Sequence, residues 1–271
     1  MNHSIPLQDF EPISLEEMAA VKLMNRTDTK FVTNGETLIK LLQLAANDYF
    51  AQEIDGKKDA SYHTLYYDTP DNAMYIAHHN GKKYRQKLRV RSYVDSNQHF
   101  LEVKTKNNHG RTKKKRVAMS EDNFSFSIDK SITVNKENLQ PYTEFLDKRL
   151  WLSSDMMLPK IENQFRRITL VNKAMTERLT IDFNLAFHNL ETGMQRQLDN
   201  IVIIELKRDG LQPSPILPLL NRLRIFPMGF SKYCIGMAMT NPTLKQNRFK
   251  QRIRNVGKLA VSQTSKPLNQ N

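Results

Sequence analysis

One cysteine, Cys234, occurs in 271 residues. An internal disulfide is therefore excluded, and the usage fits a reducing compartment. No uninterrupted apolar stretch approaches the roughly 20 residues that a membrane-crossing helix needs. The nine glycines stand singly, and the chain lacks G-x-x-x-x-G-K, G-x-G-x-x-G and G-x-S-x-G. That removes the P-loop, the dinucleotide fingerprint and the nucleophile elbow. Seven histidines include no H-x-x-x-H pair, so the common zinc-protease spacing is missing too. The opening segment MNHSIPLQDFEPISLEE is polar and acidic, without the charged-then-apolar pattern of a signal peptide. A cytoplasmic location is the expectation.

Acids are also scarce: 28 Asp and Glu stand against 41 Lys and Arg, a net charge of +13. Such a balance calls for an anionic partner: nucleic acid, a lipid surface or a phosphorylated small molecule. The excess is uneven. Residues 241–271 carry seven Lys/Arg and no Asp/Glu. This divides the chain into a main unit, residues 1–240, and a basic C-terminal tail or helix, residues 241–271. The stretch KQNRFKQRIRNVGK reads either as a basic helix lying on a surface, an anionic membrane included, or as a solubilising tail.

Secondary structure is legible from periodicity. ISLEEMAAVKLMN predicts a helix, with Ser14 as N-cap and Glu17 at capping-box spacing. RTDTKFVT predicts a strand and NGETLIKLLQLAANDY the next helix. Strand-like stretches then dominate: Ser61–Thr69, Lys82–Asp95, His99–Lys106, Arg111–Ser120, Gln164–Asn172, Glu177–Phe187 and Ile201–Asp209. KENLQPYTEFLDKRLW and SPILPLLNRLRIF predict helices. His78 and His79 fall in a turn or short helix and read as surface residues. Eight strands with short links and helices at the edges predict an α+β fold: one antiparallel sheet closed into a barrel.

QKLRVRSY shows the functional pattern. Lys87, Arg89 and Arg91 alternate with Leu88 and Val90, so the cations share one face. The same separation gives Arg26, Asp28 and Lys30; Glu102, Lys104 and Lys106; Arg178, Thr180 and Asp182; and Glu205 with Lys207. For any one strand, a solvated polar face accounts for this. Two features argue otherwise. Arginine outweighs lysine in the strand centres, and arginine suits bidentate phosphate recognition. The acids are few and spread across strands. A barrel with its apolar face outward under helices would gather these groups in a cationic lumen. That environment suits a polyanion with a divalent metal, whose hard oxygen ligands are carboxylate and phosphate.

The ordered series RTDTKF, LYYDTPDN, KLRVRSY, FLEVKTK, ERLTID, IIELK and FSKY resembles the VTC domain. That domain is the polyphosphate polymerase branch of the triphosphate tunnel (CYTH-like) superfamily. The likeness runs from about Arg26 to Tyr233. It implies an eight-stranded antiparallel tunnel with helices packed outside, holding ATP and polyphosphate, or another triphosphate, with Mn²⁺ or Mg²⁺. Carried over by motif, Arg89, Arg91, Lys104 and Arg178 are catalytic, and Glu205 binds the metal. Phosphate binding falls to Lys30, Arg26, Lys87, Arg167, Lys207, Ser231 and Lys232. Arg111, Lys115 and Arg116 lie in the strand where the family has further phosphate-binding cations. The chain departs from the pattern at Gly229, where eukaryotic members carry lysine, and at His78, near a family arginine. Arg26, Asp28 and Lys30 replace the E-x-E-x-K of the superfamily's triphosphatases and cyclases, which argues for the polymerase branch.

The implied chemistry is transfer of the terminal phosphate of ATP to a polyphosphate chain. This relies on alignment and charge neutralisation more than on covalent chemistry. Two rivals use the same tunnel. A triphosphatase would have Glu102 or Asp182 position water, and a non-catalytic sensor would only bind. Nucleic acid is disfavoured, since there is no recognition-helix motif, zinc-finger spacing or RNP-type aromatic strand. Tyr66, Tyr67 and Tyr93 read as packing residues and Cys234 as a buried thiol.

Overall fold

The computed structural model describes residues 5–19, 21, 26–108, 111–120, 125–126, 132–133, 136–210 and 212–261. The predicted capping box forms. The Ser14 N–H donates to Glu17 Oε2 at 2.8 Å and the Glu17 N–H to Ser14 Oγ at 3.1 Å. It opens α1 (Leu15–Ala19); residues 20 and 22–25 of the predicted helix lie outside the described residues. Asn34 ends β1 (Arg26–Asn34) and caps α2 (Gly35–Ala45) by accepting the Thr37 N–H at 2.9 Å.

Seven more strands complete the main path of an 11-stranded sheet, to which three short strands (Glu11–Ile13, Tyr49–Gln52 and Gln195–Leu198) attach: β2 (Ala60–Asp68), β3 (Arg85–Tyr93), β4 (Gln98–Lys106), β5 (Thr112–Met119), β6 (Leu158–Asn172), β7 (Glu177–Asn189) and β8 (Ile201–Asp209). Their order is β1-β8-β7-β6-β2-β3-β4-β5, and every neighbouring pair is antiparallel. The eight strands curl into a half-barrel. Among the described residues no ladder joins β1 to β5. The remaining helices are α3 (Ala73–His79), α4 (Thr143–Asp147), α5 (Ile216–Arg222), α6 (Lys232–Thr240) and α7 (Lys250–Val261). The segment expected as one helix before Trp151 is instead a 3₁₀ stretch, Lys136–Tyr142, followed by the short α4. Pro141 lies within the 3₁₀ stretch, and its missing N–H removes a helical hydrogen bond.

Apolar side chains cover both faces, in different places. Outside, Leu38, Leu41 and Leu42 of α2 and Ile216 and Leu220 of α5 pack on Ile168, Leu170, Leu179, Ile181, Val202, Ile204 and Leu206. Leu88 and Val90 join Leu101, Val103 and Leu146 of α4 in a second outer cluster. The third cluster is inside. There α6, with Tyr233, Cys234 and Met237, packs on Ile161, Phe165, Phe187, Ile201 and Ile203. Phe249 and Val256 bury against this same cluster. Residues 250–261 of the basic C-terminal segment thus form a docked amphipathic helix; residues 262–271 lie outside the described residues. No helix among the described residues is long and apolar enough to cross a membrane.

Candidate functional site

Alternation and antiparallel register place the site. Strands β3, β5, β6 and β8 run one way and β1, β2, β4 and β7 the other. Arg26, Arg178 and Lys207 therefore lie toward the upper end of the concave face, while Arg85 and Lys106, paired across β3 and β4, lie at the lower end. Between them is a cavity of about 850 Å³ lined by all eight strands and by α3, α6 and α7. Of the residues expected from the sequence, Arg26, Lys30, Lys87, Arg89, Arg91, Lys104, Arg167, Arg178, Glu205, Lys207, Ser231 and Lys232 line it.

Arg111, Lys115 and Arg116 do not line this cavity. Val117 and Met119 pack into the outer cluster, so period two turns Lys115 outward and Lys114 inward. Arg116 shares the face of Lys114 but lies over the Phe100 ring, 4.3 Å from its centroid. Arg111 precedes the strand and is exposed. Lys106 and Lys114 line the cavity instead. Val117 and Met119 carried the signal for Lys114; Lys106 simply continues the Glu102–Lys104 face.

The expectation of surface positions for His78 and His79 is overturned. His79 is buried, and its Nε2 accepts the Arg248 N–H at 3.3 Å. His78 lines the cavity. Both rings pack against Phe249, just before α7. A helix returning from far along the chain buries them, which short-range periodicity does not reveal.

Three inner carboxylates, Glu102, Asp182 and Glu205, are each engaged by two cations, whereas Asp28 pairs with Arg26. Arg89 Nε and Nη2 donate to Glu102 Oε2 at 2.8 and 2.6 Å, and Lys114 donates to Oε1 at 2.9 Å. Arg167 forms a fork on Asp182 at 2.6 and 2.9 Å, and Lys232 donates to the same carboxylate. Lys30 donates to Glu205 Oε1, and Lys207 lies 3.2 Å from Oε2. Burial alone would raise these three acids. The surrounding cations outweigh it, holding Glu102 at about 2 and Asp182 and Glu205 well below the usual carboxylate range.

Arg91 and Lys104 are among the cavity cations that pair with none of these carboxylates. Arg91 is 8% exposed, and its Nε has no partner. Burial and the neighbouring Arg89 and Arg167 disfavour its charge. Burial, with Arg89 close by, brings Lys104 down to about 7. No ion pair involves either residue among the described residues. At the base, Ser231 caps α6 by accepting the Cys234 N–H at 3.2 Å. Lys87 donates to the same hydroxyl at 2.7 Å. The positive end of α6 thus faces the cavity. Arg178 is tied to the Met18 carbonyl at 3.0 Å, with Nε buried and unpartnered. Asp68, from the LYYDTPDN stretch, stays structural. It accepts the Met74 and Tyr75 N–H groups at 2.8 Å and the Tyr233 hydroxyl.

The family model for the VTC domain matches residues 25–241. The chain belongs to the VTC domain family. No curated protein matches it. Among solved structures it is similar to a candidate adenylate cyclase from Bacillus halodurans, at 12% identity over 77% of this chain and 96% of that one, TM-score 0.46. It is also similar to a candidate adenylyl cyclase from Hippeastrum, reported with a dominant triphosphatase activity, at 16% identity over 80% and 97%, TM-score 0.47. A third is a protein of Pyrococcus horikoshii, at 11% identity over 79% and 98%, TM-score 0.41. The match to the VTC domain ends at residue 241, so α7 lies beyond it.

Metal-binding capacity in this VTC domain is narrow. No cluster of three or more His, Cys, Asp or Glu suited to a metal occurs among the described residues. Glu205 offers one hard oxygen donor group, with Lys30 and Lys207 now on its oxygens. This set fits a divalent cation that takes its other ligands from phosphate oxygens and water, the usual habit of Mg²⁺.

Proposed function

We propose that the protein is a polyphosphate polymerase, transferring the terminal phosphate of ATP to a polyphosphate chain within the cavity and releasing ADP. One observation carries the reading: Glu102, Asp182 and Glu205 are each held anionic by two cations, while Arg91 and Lys104 have no carboxylate partner among the described residues and are open to an incoming anion. Saturated carboxylates of depressed pKa make poor bases for activating water. A polyphosphate terminus needs no such base, because it is already an anionic nucleophile.

In this reading Arg89 and Arg91 hold phosphates from β3, and Lys104 faces them from β4. Arg167, Lys232 and Ser231 hold the opposite wall, with Lys30, Lys87 and Lys207 adding positive charge between. Arg26 and Arg178 guide phosphates at the upper rim. These cations align donor and acceptor and stabilise the charge on the transferred group. Mn²⁺ or Mg²⁺ held by Glu205 would supply further charge neutralisation on phosphate oxygens.

The test is incubation of the purified protein with ATP and Mn²⁺ or Mg²⁺, followed by separation of ADP, free phosphate and polyphosphate. ADP with polyphosphate is expected, and Glu205→Gln should abolish the metal-dependent turnover. Free phosphate without polyphosphate would identify a hydrolase. Tight binding without turnover would identify a sensor.

A further inference from the structure

The lower end of the cavity holds three cations that the proposed transfer does not use, Arg85, Lys106 and Arg252. His78 on α3 lies among Lys87 and Arg85 of β3, Lys106 of β4 and Arg252 of α7. Burial and these four positive charges keep its imidazole neutral, with its pKa lowered to about 2. Its Nδ1 is buried without a partner. None of the four cations has a carboxylate partner among the described residues. Arg85 finds only the Lys82 carbonyl, at 2.6 Å, and Lys87 only Ser231. At the level of Arg89 and Arg167, by contrast, guanidiniums are paired with acids.

Converging like charges without counterions repel one another. A protein that docks a helix to add another cation there has built for a multivalent anion. Arg85 and Arg91 are six residues apart on one strand, roughly 20 Å at the strand rise. A long phosphate chain can occupy both levels, and a short one seated near Arg91 leaves the lower level empty.

We propose that Arg85, Lys106 and Arg252 form a second anion-binding subsite that grips a polyphosphate chain beyond the phosphates held at Arg89 and Arg91, making α7 a working wall of the cavity. The subsite rests on the reading of the cavity as a polyphosphate site and assigns a role to a helix outside the family match.

Binding of inorganic tripolyphosphate and of long-chain polyphosphate to the full chain would be measured by calorimetry. Arg252→Gln should weaken long-chain binding about tenfold, the loss of one charge-assisted contact, and leave tripolyphosphate binding unchanged. Arg252→Lys should restore most of the long-chain affinity. Lys258→Gln, an exposed change on the same helix, should alter neither. If Arg252→Gln proves unstable, Lys106→Gln is to show the same selective loss. Unchanged long-chain affinity in Arg252→Gln, or equal loss for both ligands, would overturn the subsite while the polymerase reading stands. Failure of the unmodified protein to bind either ligand would sink both.

Discussion

Lys104 and Lys232 are pushed down to about 7, chiefly by burial, and in both cases a nearby arginine adds to the shift. For Lys232 the Asp182 carboxylate opposes it. Between about pH 7 and the ordinary lysine value of 10.5, the unfolded chain holds the Lys104 proton and the folded chain does not. The unfolded state then binds more protons, so this group makes the ligand-free protein more stable as pH rises through that window. The gain is lost as pH falls through 7. Ligand binding has the opposite sign, because a polyanion favours the protonated amine and draws in a proton. Comparing wild type with Lys104→Gln from pH 6 to 9 checks this. The wild-type advantage in polyphosphate affinity should be largest at pH 6 and shrink toward pH 9; a pH-independent difference would count against it. The candidate cations were legible residue by residue, because alternation separates Arg89 and Arg91 from Leu88 and Val90. Pairing was not. Only register sets Arg89 opposite Glu102 and Lys30 opposite Glu205, and that decides which cations stay free.

Among the elements, α6 decides how the cavity ends. Its backbone approaches the inner face of the sheet through Gly236, where an added Cβ would stand 2.6 Å from Phe187 Cδ1 and 2.8 Å from Ile161 Cδ1. Gly236→Ala is therefore expected to overpack this contact at about 1–3 kcal/mol. The helix would shift, taking Ser231 and Lys232 with it. Thermal unfolding should show a lowered Tm, and calorimetry a weakened phosphate interaction; a variant matching wild type in both would refute the close-packed role. The strands and α2 were readable because one face of each is apolar at its own period. For residues 250–261 the sequence left a basic helix and a solubilising tail both open, and it did not reveal the dock. Phe249, Ile253 and Val256 give the segment an apolar side, yet nothing local says which surface it covers. The short α4 was overread because Pro141 interrupts an otherwise helical pattern.

For the whole molecule, a net charge of +13 gathered partly into one cavity predicts strongly salt-dependent polyanion binding. Affinity for long-chain polyphosphate should fall by at least roughly tenfold between about 50 and 200 mM salt, as counterions compete for released phosphate contacts. A salt-insensitive affinity would show that the cavity cations are not the contact surface. The sequence by itself determined the strands, the Ser14 capping box, the outward apolar faces and the cationic inner face, because these follow from period, capping chemistry and charge within short windows. The tertiary structure alone decided the rest: the curl that turns one sheet face into a cavity, the helix inserted at its base, the return of α7 over His78, and the neutralisation of each inner carboxylate. These depend on residues far apart in the chain, whose charges and volumes meet only when the sheet bends.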